Sequence, residues 1–399
     1  MNTERIYLDN ASTTNLSAEV LSAMMPVLTD NYGNSSSVHS FGVAASKLVE
    51  ESRKTIAETI NAKPGEIYFT SSGSEANSWA IIGLANANRN KGNHIITTKI
   101  EHGSTLAACK YLEQNGFEVT YLDVDHNGFV NFIQLLRAIK ESTILVSVVA
   151  ANNEIGTIQN LKAIAQTVHE KDAIFHTDCV QLYGNMYIDV EDLGIDALTM
   201  SAHKIYGPKG VGALYVSNKI KIDPIIFGGN QEMAKRGGTT NVAGIVGFAK
   251  AAEIAYRDIK TNNYKLKSLS EYFVSHLTSN IQNVVINANI HQKLPHIMSV
   301  TFIGVDGESL QTKLDMNGIA VSTVCACSTK DEKISHVIHA LGMPNDNAKA
   351  TVRFSFGKNN TYEEIDKTIA VISKSVEQLR EFSSTYGMKI RKRKGDSNV

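Results

Sequence analysis

Apolar residues in this 399-residue chain follow two alternating rhythms. Short apolar runs closed by turn residues at Glu66–Thr70, His94–Ile100, Glu118–Val124, Thr143–Ala151, Ala173–Asp178, Asp196–Ser201 and Gly212–Val216 predict strands. Helical spacing fills most of the gaps, at Ser74–Asn90, Ser104–Asn115, Val130–Ile139 and Leu161–Lys171. Ahead of them Ala44, Leu48, Ile56 and Ile60 recur with charge between, predicting an amphipathic helix over Val43–Ile60. Repeated β–α units predict an α/β fold with a mostly parallel seven-stranded sheet sandwiched by helices. Such sheets bind ligands beyond the carboxyl ends of their strands, so the residues after each run carry the chemical interest.

Beyond Lys260 the texture changes to a long polar helix, shorter strands at Val284–Asn287, Met298–Phe302 and Ala350–Phe356, and a last helix over Tyr362–Phe382. This predicts a large domain over 15–258, a smaller α+β domain from 1–14 and 259–385, and a basic tail over 386–399.

Composition narrows the function classes. At 43% hydrophobic the chain can bury a sizeable core. Lys and Arg number 39 against 40 Asp and Glu, so no bulk attraction to nucleic acid or an acidic membrane is expected. The exception is Lys389-Ile390-Arg391-Lys392-Arg393-Lys394, read as a solubilising end. Four cysteines in so long a chain do not make a disulfide framework. Met1 to Arg5 has no apolar leader and no stretch reaches bilayer-spanning length, so a cytoplasmic location is expected.

Chemistry concentrates at the strand ends. In Ser201-Ala202-His203-Lys204-Ile205-Tyr206-Gly207-Pro208-Lys209-Gly210, Lys204 falls where a strand meets a loop. Desolvation there would depress its pKa and free the amine to condense with an aldehyde; a solvated loop lysine is the ordinary alternative. Ser71-Ser72-Gly73-Ser74-Glu75-Ala76-Asn77 opens a helix with small hydroxyls and backbone N–H groups, which suits a phosphate or a plain N-cap. His102 is placed either to lie on an aromatic ligand or to start a helix, and Asn152-Asn153-Glu154 leaves a buried strand. Asp178 ends an apolar strand, where a carboxylate needs a cationic partner. A protonated pyridine nitrogen would serve, and its charge would make the ring an electron sink. A phosphate cradle, a ring-facing histidine, a strand-end aspartate and a strand-end lysine together fit pyridoxal 5'-phosphate.

With these residues in view, the chain resembles the class V, fold-type I pyridoxal phosphate enzymes, and within them the cysteine desulfurases of the NifS/IscS type. The likeness runs nearly end to end through Tyr7-Leu8-Asp9-Asn10-Ala11, Gly33-Asn34-Ser35, Glu101-His102, Asn152-Asn153-Glu154-Ile155-Gly156, the Lys204 decapeptide, Arg236-Gly237-Gly238-Thr239 and Val352-Arg353-Phe354-Ser355. It implies that Lys204 holds the coenzyme aldehyde, His102 stacks on the ring, and Asp178 pairs with the ring nitrogen. Asn153 and Gln181 would lie near the ring hydroxyl, with Gly73, Ser74, Ser201 and His203 on the phosphate. Thr239 would reach the phosphate of a second subunit, implying a homodimer with a shared site. Arg353, with Asn153 also on the substrate, would take the carboxylate of L-cysteine, a bidentate task suited to arginine.

The resemblance also implies a thiol that accepts sulfur as a persulfide, releasing alanine. In register, that thiol is Cys327, for delivery to an acceptor protein in iron–sulfur cluster assembly or tRNA or cofactor thiolation. Val324-Cys325 stands where the family usually has Gly-Ser, which removes a flexible residue and adds a second thiol. Cys325 is read as a second acceptor, a disulfide partner of Cys327, or idle. Ser35, Ala202 and Asn77-Ser78 also depart from the family pattern, and the C-terminus does not resemble the scaffold-docking tail of the housekeeping bacterial enzyme. Cys325, Cys327, His336 and His339 match no standard zinc spacing, so no metal is expected. The rival readings are selenocysteine lyase or aminotransferase chemistry on the same fold, or a degenerate scaffold for sulfur transfer.

Overall fold

The computed structural model describes residues 5–288, 292–323 and 334–381. Its strands are β1 (Ile6–Tyr7), β2 (Ile67–Thr70), β3 (His94–Thr98), β4 (Glu118–Leu122), β5 (Thr143–Val149), β6 (Ile174–Asp178), β7 (Ala197–Ser201), β8 (Gly212–Val216), β9 (Val284–Ile286), β10 (Ile297–Phe302), β11 (Ile319–Ala320), β12 (Ser322–Thr323) and β13 (Thr351–Ser355). Seven form one sheet in the order β2-β8-β7-β6-β5-β3-β4. Within it only β8 runs against its neighbours β2 and β7. The link from β7 to β8 holds only a short 3-10 turn and a loop, without the helical crossover that a parallel return requires.

Both faces of this sheet are covered, which explains the nearly continuous apolar strands. Leu145, Ile174, Ala197 and Leu214 pack into a core with the helices Gly73–Ala87 and Gly103–Gln114. Their chain neighbours Val146, Phe175, Leu198 and Ala213 point the other way. There they meet the helices Ala18–Thr29, Ser40–Thr59 and Leu161–His169 and the first turns of Val242–Asn280.

A second core lies beneath the antiparallel sheet β12-β13-β10-β9, closed by the helices Gly307–Met316 and Tyr362–Glu381. The N-terminal segment joins this unit, because β1 pairs with β11 and Leu8 lies in the same core. The helix Val242–Asn280 runs unbroken for 39 residues from one core into the other. The change of texture near Lys260 is therefore not a break in the chain. It marks where a helix buried along most of its surface (Ala243, Gly244, Gly247, Ala251, Ala252) becomes one that buries only the stripe Leu266, Leu269, Phe273, Leu277.

Candidate active site

The carboxyl ends of β5, β6 and β7 open into a cleft of about 340 Å³, which β12 and β13 of the second sheet close from the side. Ala11, Gly73, Ser74, Asn77, His102, Asn153, Glu154, Asp178, Gln181, Ser201, His203, Lys204, Thr323 and Arg353 are among its lining. Thus ten of the residues singled out from sequence share one cavity, carried there by strand ends and by the turns and helix starts that follow them.

Lys204 ends the 3-10 turn Ala202–Lys204 directly after β7. Its Nζ donates to the carbonyls of Ala11 at 2.5 Å and Ser12 at 2.7 Å, tying it to the N-terminal segment. Two residues on, Tyr206 holds a left-handed φ of 64°, unusual for a bulky side chain. Thr14 pins that turn, its Oγ1 accepting from Tyr206 N and donating to the His203 carbonyl. His203 is held down to about 4, mainly by burial, with Lys204 and Lys209 adding.

Asp178 ends β6 and is buried. Oδ1 accepts from Val180 N at 2.9 Å and Oδ2 from the side chain of Asn77 at 2.7 Å. Among the described residues it has no ion pair within 4 Å. Asn77, which the sequence marks only as a departure from the family pattern, thus proves to hold the aspartate. It also donates to Ser104 Oγ at 3.0 Å, leaving the Ser104 hydroxyl to donate to His102 Nδ1 at 2.8 Å. Ser104 N donates to the same Nδ1, so His102 caps the helix Gly103–Gln114 and keeps its proton on Nε2. The helix start and the cleft position are both true of His102. Its ring edge is open to the cleft, yet the surrounding protein withdraws enough water to lower its pKa; Asp178 opposes this, and Lys204 and His336 add to it.

The site fits a phosphorylated pyridine. The Ser201 hydroxyl is buried without a hydrogen-bond partner. It faces Gly73, the first residue of a 15-residue helix, where a Cβ would meet Val180 Cγ2 at 2.7 Å. An unpaired buried donor, a bare backbone and a helix N-terminus make a seat for an anion. The uncompensated carboxylate of Asp178 suits a cationic ring nitrogen. Gln181 lines the cleft while its Nε2 donates to Ala11 O at 2.9 Å.

Arg353, central in β13 and buried, enters from the opposite wall. It donates from Nη1 to Asn153 O at 2.9 Å, and from Nη2 to Asp9 Oδ1 and Ser12 Oγ, each at 2.8 Å. Three of its five N–H donors are thereby spent, and the buried Nε has no partner. Glu154, beside Asn153, is pushed up to about 7 by burial, against the pull of Ser335 and Arg353.

Thr239 is the exception. It is exposed and lines a separate cavity of about 180 Å³ with Ser71, Glu232 and Arg236. The ion pairs Arg236–Glu75 and Arg53–Glu232 fix the two ends of the segment that precedes it. Cys325 and Cys327, and the basic run Lys389–Lys394, lie outside the described residues. The two described cysteines are poor nucleophiles: burial pushes the Cys109 thiol up to about 12 and raises that of Cys179 as well. His336 gives Nε2 to the Glu101 carbonyl at 2.9 Å.

A match to the class-V aminotransferases extends over residues 6–368. The chain belongs to that family. Among its relatives is the cysteine desulfurase IscS of Clostridium botulinum, 47% identical over 385 residues, covering 96% of this chain and 97% of the relative. A cysteine desulfurase IscS of Methanosarcina thermophila is 44% identical over 95% of this chain and 93% of its own length. Among solved structures, a NifS-like protein superposes with a TM-score of 0.89 at 36% identity, covering 94% of this chain and all of that one. SspA in complex with cysteine superposes at 0.79 with 33% identity, covering 89% of this chain and all of its own. No described helix of this class-V member is long and apolar enough to cross a membrane.

Proposed function

We propose that this chain is a pyridoxal phosphate-dependent cysteine desulfurase that moves the sulfur of L-cysteine onto Cys327 as a persulfide and releases L-alanine. One observation carries the reading: Lys204, the unpaired Asp178, the unpartnered Ser201 hydroxyl and the partly unspent Arg353 guanidinium share one cleft in a chain 47% identical to a cysteine desulfurase. The coenzyme, when bound, supplies an electron sink for charge leaving the substrate. Gly73, Ser74, Ser201 and His203 would hold its phosphate, Asp178 its ring nitrogen, His102 its ring face, Asn153 and Gln181 its hydroxyl, and Lys204 its aldehyde.

The chain's own residues divide the remaining work. Arg353 grips the substrate carboxylate with its unspent donor on Nη1. Lys204 takes and returns protons at the α-carbon, and His102 Nε2 exchanges a proton near the sulfur. The carbon–sulfur bond breaks as a sulfur–sulfur bond to Cys327 forms, and the displaced thiol proton ends on the methyl group of alanine. No outside oxidant is needed. Thr323 lines the cleft, and Cys327 follows it by four residues in the sequence.

The reading includes a homodimer. Thr239 lies outside its own chain's cleft, which leaves it available to the phosphate site of a second copy, and the exposed Leu21, Met25, Leu28 and Phe41 offer apolar surface for pairing. It also includes a cytoplasmic setting and an acceptor protein for the sulfur, in iron–sulfur assembly or thiolation. The test is Lys204→Ala, supplied with coenzyme and L-cysteine. Alanine production is expected to vanish together with the visible absorbance of the bound coenzyme; undiminished alanine release would defeat the reading.

A further inference from the structure

Glu154 lines the same cleft as Arg353 and is buried. Its two oxygens have different surroundings. Ser335 Oγ accepts from Val337 N at 3.0 Å and from Ile338 N at 3.3 Å, which uses both of its lone pairs. The Ser335 hydrogen is therefore committed to Glu154 Oε2, at 2.5 Å. Glu154 Oε1 has no hydrogen bond among the described residues, and Glu154 lines the cleft. The peptide unit before Glu154 supplies the Asn153 carbonyl that Nη1 of Arg353 grips, which holds the acid and the guanidinium together.

Charge decides what Oε1 can do. Asp9 already matches the charge of Arg353 at 2.8 Å. An ionised Glu154 would leave this trio at minus one and oppose an arriving carboxylate, whereas a neutral Glu154 leaves it at zero and offers an O–H. Resting on the reading of Arg353 as the carboxylate anchor, the geometry points to Glu154 as a second arm. It binds the substrate carboxylate by donating the proton on Oε1, so that the carboxylate enters together with one proton.

The other titratable groups around it do not mimic this. Arg353 from β13 is the charged side chain acting on Glu154. His102, after β3, is held below its ordinary value mainly by burial, and His203, after β7, near 4. Asp178 and Lys204 line the cleft, and His336 sits beside Ser335. Glu101 lies in the core behind, outside the cleft lining, and burial pushes it up to about 8. Burial holds Glu154 itself near 7; Glu101 also loses its neutral form toward pH 8, but only Glu154 lines the cleft, so the Glu154→Gln variant assigns the pH dependence to one of the two.

The experiment is calorimetric binding of propionate, a carboxylate without amine or thiol, to the coenzyme-loaded protein at pH 6 and pH 8 in two buffers of different ionisation enthalpy. Wild type is expected to bind about tenfold more weakly at pH 8 and to take up close to one proton there. Glu154→Gln keeps an acceptor for Ser335 and mimics the neutral acid, so its affinity should change less than about twofold between the two pH values, without proton uptake. A wild type with no pH dependence and no proton uptake, or a Gln variant with the wild-type slope, overturns the inference. Binding that survives unchanged in Arg353→Lys, or no binding at either pH, would instead sink the placement of the carboxylate at Arg353, and Glu154's role with it.

Discussion

Replacing Arg353 by lysine separates holding the fold from recognising the substrate. The guanidinium has three structural duties: the Asn153 carbonyl, Asp9 and Ser12. A lysine ammonium has three N–H donors, enough for those duties and none beyond them. Arginine has five; Nε is sealed in the protein, which leaves the second hydrogen on Nη1 for an arriving carboxylate. The variant should therefore keep its fold, with unfolding stability lowered by no more than about 1–2 kcal/mol for poorer geometry. What it loses is the hydrogen bond to the carboxylate. One charge-assisted hydrogen bond is worth about 1.5–3 kcal/mol, so KM for L-cysteine should rise roughly 10- to 100-fold. The rate constant at saturation should change much less, because that contact is made equally before and during the chemistry. Steady-state alanine release against L-cysteine concentration, alongside urea unfolding, measures both. A KM within threefold of wild type in a folded variant would refute the donor-counting argument.

Three further outcomes are expected. Glu232→Ala leaves Arg53 buried without its partner at 2.7 Å and Phe69 N without its acceptor, so urea unfolding should show a loss of about 3–5 kcal/mol; less than about 1 would contradict this. Glu101 is raised by burial to about 8 from an ordinary 4.5, so the folded state keeps a proton that the unfolded chain releases, and stability from this group is lost as pH rises from 4.5 through 8. Glu101→Gln keeps the acceptor for Thr98 and Val149 N and should gain stability over wild type at pH 8 relative to pH 5; an equal difference at both would count against it. Asn77→Leu removes the donor to Asp178 and the donor to Ser104 Oγ, so apoprotein stability should fall by about 1–3 kcal/mol, while His102 keeps its tautomer because Ser104 N still donates to Nδ1; a loss below about 0.5 kcal/mol would contradict the role of Asn77.

The alternating runs were enough to place Lys204, Asp178 and Ser201, because a strand buried on both faces must surrender its next polar residue to the cleft. The ends of β6 and β7 could therefore be read without coordinates. Asn77, Glu154 and Asp9 could not, since their roles come from partners 101, 181 and 344 positions away in the chain. A signal did exist at Asn77: an amide in the second turn of a largely buried helix is a weak helix former and buries polar atoms at a cost. The change of texture near Lys260 has a different origin. Burial on several sides and burial on one stripe produce different compositions within a single helix, and the sequence alone presents them as two segments.

The central claim is that sulfur leaves L-cysteine for Cys327. Coenzyme-loaded protein incubated with L-cysteine, then alkylated, digested and read by peptide mass spectrometry, tests it most directly. The account predicts one added sulfur on the peptide carrying Cys325 and Cys327, assigned by fragmentation to Cys327 and absent from Cys327→Ser, which also stops releasing alanine. Full alanine release by Cys327→Ser, or added sulfur only on Cys109 or Cys179, would contradict it.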